Sequence, residues 1–99
     1  MSEFKFTQGY DLAFLGAEPF ENGEEPFYGY FREYAILITL YGIDLYGYDV
    51  ETDKEWRYYN NDSDNKISYN DALDYVKLIE TNPAAFIKLA KLSFNYEIL

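Results

Sequence analysis

The ninety-nine-residue chain contains no cysteine and no histidine. Without cysteine there is no disulfide framework, no thiolate nucleophile and no zinc-thiolate site; without histidine the usual neutral-pH base and the commonest metal ligand are missing. Most catalytic constellations are excluded by these two absences. Basic residues are also scarce, with eight Lys and Arg against eighteen Asp and Glu, a formal charge of −10. Nucleic acid and anionic membrane are therefore poor direct partners, because each approach adds like-charge repulsion. A basic protein surface or a cation suits this balance better. No apolar run approaches the ~20 residues needed to span a bilayer, and Met-Ser-Glu-Phe-Lys lacks the start of a secretory signal, so we expect a cytoplasmic protein.

What the chain has in quantity is aromatic and aliphatic side chains, 48% hydrophobic and 21% aromatic, enough for the core of one folded domain spanning residues 1–99. Glu3 to Phe6 alternates polar and apolar and suits a short strand, followed by an apolar piece from Tyr10 to Leu15. Ala17 to Pro26, with Asn22-Gly23 and two prolines, is an acidic loop or hairpin tip. Tyr28 to Tyr41 fits both a helical face and a strand; its aromatic and β-branched residues favour strand. Ile43 to Val50 alternates, and Glu51-Thr52-Asp53-Lys54 turns it into a partner strand from Glu55 to Asn60.

The last third has helical signals. Ser68 with Asp71 forms a capping-box pattern ahead of the stripe Ala72, Tyr75, Val76 and Ile79. Asn82-Pro83 starts a second helix that should end near Leu92, and Phe94, Tyr96 and Ile98 alternate as if rejoining a sheet edge. The expected fold is α+β: an antiparallel Tyr-rich sheet of about four to five strands, mainly within residues 1–60, with two C-terminal helices within 68–93 packed on one face. The expected core is Phe4, Phe6, Leu12, Phe14, Ile36, Ile38, Leu40, Leu45, Trp56, Val76, Ile79, Phe86 and Leu89.

Seventeen of the eighteen acids precede Pro83, and three clusters hold most of them. Glu18, Glu21, Glu24 and Glu25 lie in the first loop; Asp44, Asp49, Glu51, Asp53 and Glu55 lie along the hairpin; Asp62, Asp64, Asp71 and Asp74 lie beyond it. With Arg32 and Arg57 the only bidentate cations, most of these carboxylates have no internal partner. Twelve tyrosines exceed what a small core buries with satisfied hydroxyls, so several belong at the surface, where tyrosine is a favoured contact residue. We expect a partner-binding set of Glu24, Glu25, Asp44, Asp49, Glu51, Asp53 and Glu55, with Tyr46 and Tyr48 as anchors. In size and charge the chain resembles the small acidic nucleic-acid mimics that phages use against restriction or CRISPR nucleases, and the immunity proteins that neutralise toxic nucleases. That resemblance implies a non-catalytic inhibitor of a nucleic-acid-processing protein; the alternative is that the acids only solubilise the fold.

Asn60 to Asp71 reads Asn-Asn-Asp-Ser-Asp-Asn-Lys-Ile-Ser-Tyr-Asn-Asp and resembles an EF-hand calcium loop, more closely its dockerin variant. The resemblance implies side-chain oxygens from Asn60, Asp62 and Asp64, the Lys66 carbonyl, a water on Ser68 and a carboxylate from Asp71. Asn60 stands where the family has Asp, and Asn65 where it has Gly. The alternative is an Asn/Asp-rich turn that caps the following helix. No resident cofactor is expected otherwise. Paired acids such as Asp62 with Asp64, or Asp44 with Asp49, suffice in principle for glycoside hydrolysis, but a chain this small offers little scaffold for the required cleft, and we expect no enzyme.

Overall fold

The structure is a computed structural model that describes residues 4–9, 17–61 and 66–99. Among these residues the chain forms strands β1 (Thr7–Gln8), β2 (Phe27–Phe31), β3 (Tyr34–Thr39), β4 (Gly42–Asp49) and β5 (Lys54–Asn61). Helices α1 (Tyr69–Thr81) and α2 (Pro83–Ser93) follow, then strand β6 (Asn95–Ile98). All neighbours in the sheet pair antiparallel, in the order β1-β2-β3-β4-β5-β6. The fold is thus α+β, with one strand more than expected.

The extra strand comes from Tyr28 to Tyr41, which is neither a helix nor one strand. It is a hairpin in which Phe31 pairs with Tyr34 across a two-residue turn, Arg32-Glu33. Arg32 adopts φ 54°, a conformation usually left to Gly or Asn, so no turn residue advertises the break. Asn22-Gly23 turns as its sequence suggests: Gly23 sits at φ 90° and its N–H donates to the Phe20 carbonyl at 2.8 Å. The first strand is displaced from Glu3–Phe6 to Thr7–Gln8, because Phe4 turns into the core and the Phe6 N–H donates to Glu80 Oε2 of α1 at 2.8 Å. The Tyr10 to Leu15 piece, with the core candidates Leu12 and Phe14, lies outside the described residues.

Both helix starts follow their capping residues. Ser68 Oγ accepts from the Asp71 N–H at 3.1 Å, and Asn82 Oδ1 accepts from the Ala85 N–H at 3.1 Å with Pro83 as the first helical residue. One apolar cluster joins Phe4, Phe20 and Phe27 to Ile36, Ile38, Ile43 and Leu45 of the sheet, and to Ala72, Ile79, Ile87 and Ala90 of the helices. The alanines face the sheet, where a small side chain lets a helix approach closely. Phe4, Ile36, Ile38, Leu40, Leu45 and Ile79 are buried as expected, while Phe6, Trp56, Val76 and Phe86 pack half-buried at the margin. Leu89 is a correction: it is 58% exposed, because it stands about 200° around α2 from the buried Ile87.

Candidate partner-binding surface

Strand alternation gives the sheet two unlike faces. Ile36, Ile38, Ile43 and Leu45 point toward the helices; Leu37, Asp44, Tyr46, Arg57 and Glu97 share the other face through the pairs Leu37–Asp44, Tyr46–Arg57 and Arg57–Glu97. On that open face Arg57 lies between two carboxylates. Its Nε is 3.6 Å from Asp44 Oδ1 and 3.0 Å from Glu97 Oε1, and its guanidinium rests 4.2 Å from the Tyr59 ring centroid. Nε makes a hydrogen bond to neither acid, so it acts there as a charge.

This arrangement removes Asp44 from the partner-binding set. Asp44 is only 5% exposed and faces Arg57, where a docking partner has no access to it. Tyr46 is half-buried in the same group. Its hydroxyl is raised above the ordinary pKa by burial first and by the Asp44 charge second, with Arg57 acting in the opposite direction. It is a wall of the surface more than a projecting anchor.

The remaining hairpin residues do project. β4 and β5 continue past the end of β3, since β3 pairs with β4 only as far as Ala35–Tyr46 whereas β4 pairs with β5 to Asp49–Lys54. Glu51, Asp53 and Glu55 are exposed at this tip, with Asp49 half-buried. Asp49 Oδ1 accepts from the Glu51 N–H at 3.0 Å, the Tyr48 hydroxyl donates to Asp53 Oδ1, and Asp53 takes φ 57°, which Asp tolerates. The tip is thereby shaped by its own acids. Among the described residues the ion pairs are Lys5 with Glu80 and Arg57 with Asp44 and Glu97, and none involves the tip.

Glu24 and Glu25 belong elsewhere. Their loop packs at the opposite end of β4: the Tyr41 hydroxyl, beside Gly42, donates to Glu18 Oε2 at 2.9 Å. Eight residues of β4 separate the two ends, about 24 Å at strand rise. Glu25 is exposed and its carbonyl accepts from Gln8 Nε2, whereas Glu24 is half-buried with Oε1 sealed from solvent. The loop acids and the hairpin acids thus form two patches at opposite ends of the sheet.

The calcium-like segment falls at the same end as the loop. Asn60 pairs with Ile43 as part of β5, the Ile67 N–H donates to the Leu40 carbonyl at 2.8 Å, and Ser68 is occupied in capping α1. Asp62 and Asp64 lie outside the described residues. Lys66 and Asp71 are exposed, and among the described residues no group of three or more acids gathers as a metal site.

One feature at the tip was not anticipated from sequence. Where the β4–β5 hairpin outruns β3, a cleft of about 300 Å³ opens between it and the Arg32-Glu33 turn. Gly47 faces Trp56 across the strands, and a Cβ on Gly47 would stand 2.1 Å from the indole, so the ring lies flat on bare backbone. Gly47 and the chain's one tryptophan are both visible in the sequence, but that they stand opposite follows only from the β4–β5 register. Comparison with protein-family models, with curated proteins and with solved structures gave no match.

Proposed function

We propose that this is a non-catalytic acidic binding protein, an inhibitor that occupies the nucleic-acid-binding surface of a nuclease or nuclease-based defence complex in the cytoplasm. The observation that carries it is the projecting hairpin tip, where Glu51, Asp53 and Glu55 stand exposed beside Tyr48 and take part in no ion pair among the described residues. Carboxylates fixed on a rigid hairpin offer a phosphate-gripping groove the charge it binds, without the nucleic acid. The field of a chain at −10 also speeds encounter with a basic surface, by about 10- to 10³-fold at low salt. Asp49, Glu51, Asp53, Glu55 and Tyr48 form the docking patch, and Glu24 and Glu25 contribute to a second acidic patch at the far end.

Competition is the direct test. A fluorescent DNA duplex bound to each of a panel of restriction and CRISPR nucleases should be displaced by this protein, with displacement weakening steeply between about 50 and 200 mM salt. The double variant Glu51→Lys/Asp53→Asn, with Asn chosen because it tolerates the positive φ of Asp53, should displace poorly while keeping its circular dichroism spectrum. Displacement indifferent to salt and to these changes, or absent across the panel, would rule the proposal out.

A further inference from the structure

We infer that the cleft at the hairpin tip is a receptor for a single arginine side chain of the basic partner, a refinement that rests on the inhibitor reading above. Five aromatic side chains line it: Tyr30, Tyr34, Tyr46, Tyr48 and Trp56. Two acids, Glu33 and Glu55, line the same cleft from the turn and from β5. Ring faces carry negative charge density and attract cations within about 6 Å of the centroid, and acids beside them add the opposite charge that a cation needs. Tyr30 and Tyr48 are 53% and 47% exposed, so both present surface to solvent.

The molecule already handles its own cations in this way. Lys91 Nζ sits 4.7 Å from the Tyr34 ring and 5.6 Å from the Trp56 ring, and donates to the Tyr34 hydroxyl at 2.7 Å. Arg57 lies over Tyr59 and Arg32 over Phe31, the latter at 4.8 Å. Tyr34 and Trp56, tilted at 58° with centroids 5.8 Å apart, thus hold one cation and also line the cleft.

Other ligand classes fit less well. An anion meets Arg32 as the one cation of the lining, opposed by Glu33 and Glu55 in a chain of net charge −10. An ammonium is a compact point charge with no flat face, whereas a planar guanidinium stacks on aromatic faces and forks onto a carboxylate, both of which line the cleft. Arginine is also the residue with which phosphate-binding surfaces grip their ligand, which ties the cleft to the partner class proposed for the tip.

Trp56 is the chain's one tryptophan and lines the cleft, so its emission reports on it. A capped tetra-arginine peptide should change Trp56 fluorescence saturably, its neutral citrulline counterpart should not, and tetralysine should bind several-fold more weakly. Tyr48→Ala and the near-isosteric Glu55→Gln should each weaken the arginine peptide roughly three- to tenfold, with the thermal midpoint of Glu55→Gln unchanged. Emission unmoved by the arginine peptide, equal response to citrulline or lysine, wild-type affinity in both variants, or saturation by adenosine would each overturn the assignment. If the peptide arms fail while Glu51→Lys/Asp53→Asn still abolishes duplex displacement, the cleft is refuted and the inhibitor reading stands. If the peptide binds as described but no nuclease releases its duplex, the cleft stands and the nuclease reading falls.

Discussion

Leu37 and Ile38 are consecutive residues of β3, at 5% and 0% exposure, yet they are buried by different means. Ile38 belongs to the apolar cluster that includes Ala72 and Ile79 of α1 and Ile87 and Ala90 of α2. Leu37 stands outside that cluster, paired across the strands with Tyr28 and Asp44 on the face that neither helix covers. One face of the sheet packs against the helices; the other carries the rings of Tyr28 and Tyr46 and the charges of Asp44, Arg57 and Glu97. The covered face is therefore an apolar layer sealed by helices, while the open face is polar and carries exposed rings and acids toward its hairpin end.

The sharpest way to break this comparison is to truncate the two neighbours separately. Ile38→Ala should cost about 4 kcal/mol, since a cavity sealed between sheet and helices collapses poorly, and Leu37→Ala about 2 kcal/mol, since side chains on an uncovered face can shift into the gap. Urea unfolding of the two variants followed by circular dichroism measures both losses. Equal losses would mean that the open face is packed as rigidly as the covered one.

Arg57→Met addresses the charge network of the open face. Removing the cation leaves Asp44 buried with its counter-charge gone, and we expect a loss of about 2–3 kcal/mol, below the usual range for buried pairs because the Arg57 side chain is 25% exposed. Adding Asp44→Leu to Arg57→Met should restore much of that loss, because the uncompensated charge is then removed as well. A double variant no better than the single one would show that Arg57 acts through Glu97 or its stacking on Tyr59, not through Asp44.

Gly47→Ala sharpens the comparison at the point where the two faces meet. The new methyl would enter the space of the Trp56 ring, and overpacking of this kind costs about 1–3 kcal/mol. Because the ring lines the cleft, the same variant should also alter the intrinsic fluorescence, which a purely local backbone effect would leave in place.

The covered face was legible in the sequence, and the open one only in part. Ser68, Asn82-Pro83 and the alternation of Phe94, Tyr96 and Ile98 carry local physical signals, and caps, helices and β6 formed where those signals stand. Arg32-Glu33 carries none, so the hairpin of β2 and β3 was hidden inside one apolar stretch. Asp44 was misplaced for a related reason: alternation assigns it to the face opposite Ile43 and Leu45 but does not say that Arg57 will lie over it, since that depends on the register of β5. The separation of Glu24 and Glu25 from the hairpin acids likewise follows from topology, because the loop docks at the Tyr41 end of the sheet. The cleft needed three separate facts: the hidden turn, the overrun of β4 and β5 past β3, and the pairing of Gly47 with Trp56.

The smallest expected effect concerns how dry the open face is. Burial, followed by the Asp44 charge, lifts the Tyr46 hydroxyl above its ordinary value of 10.0, with Arg57 opposing the shift. Folding therefore favours the protonated ring: that contribution is complete below the unfolded value and is lost as pH rises through the folded one. The thermal midpoint of the wild type should accordingly fall as the pH is taken above 10, and Tyr46→Phe, which cannot ionise at this position, should fall less steeply over the same window. Tyr41 provides the contrast. Its hydroxyl is also raised, chiefly by its hydrogen bond to Glu18, but that contact is solvent-exposed and therefore screened, so Tyr41→Phe should leave the slope close to that of the wild type. Parallel alkaline profiles for the wild type and Tyr46→Phe would mean that water reaches Tyr46 freely, and that the open face holds its charges at the surface and does not bury them.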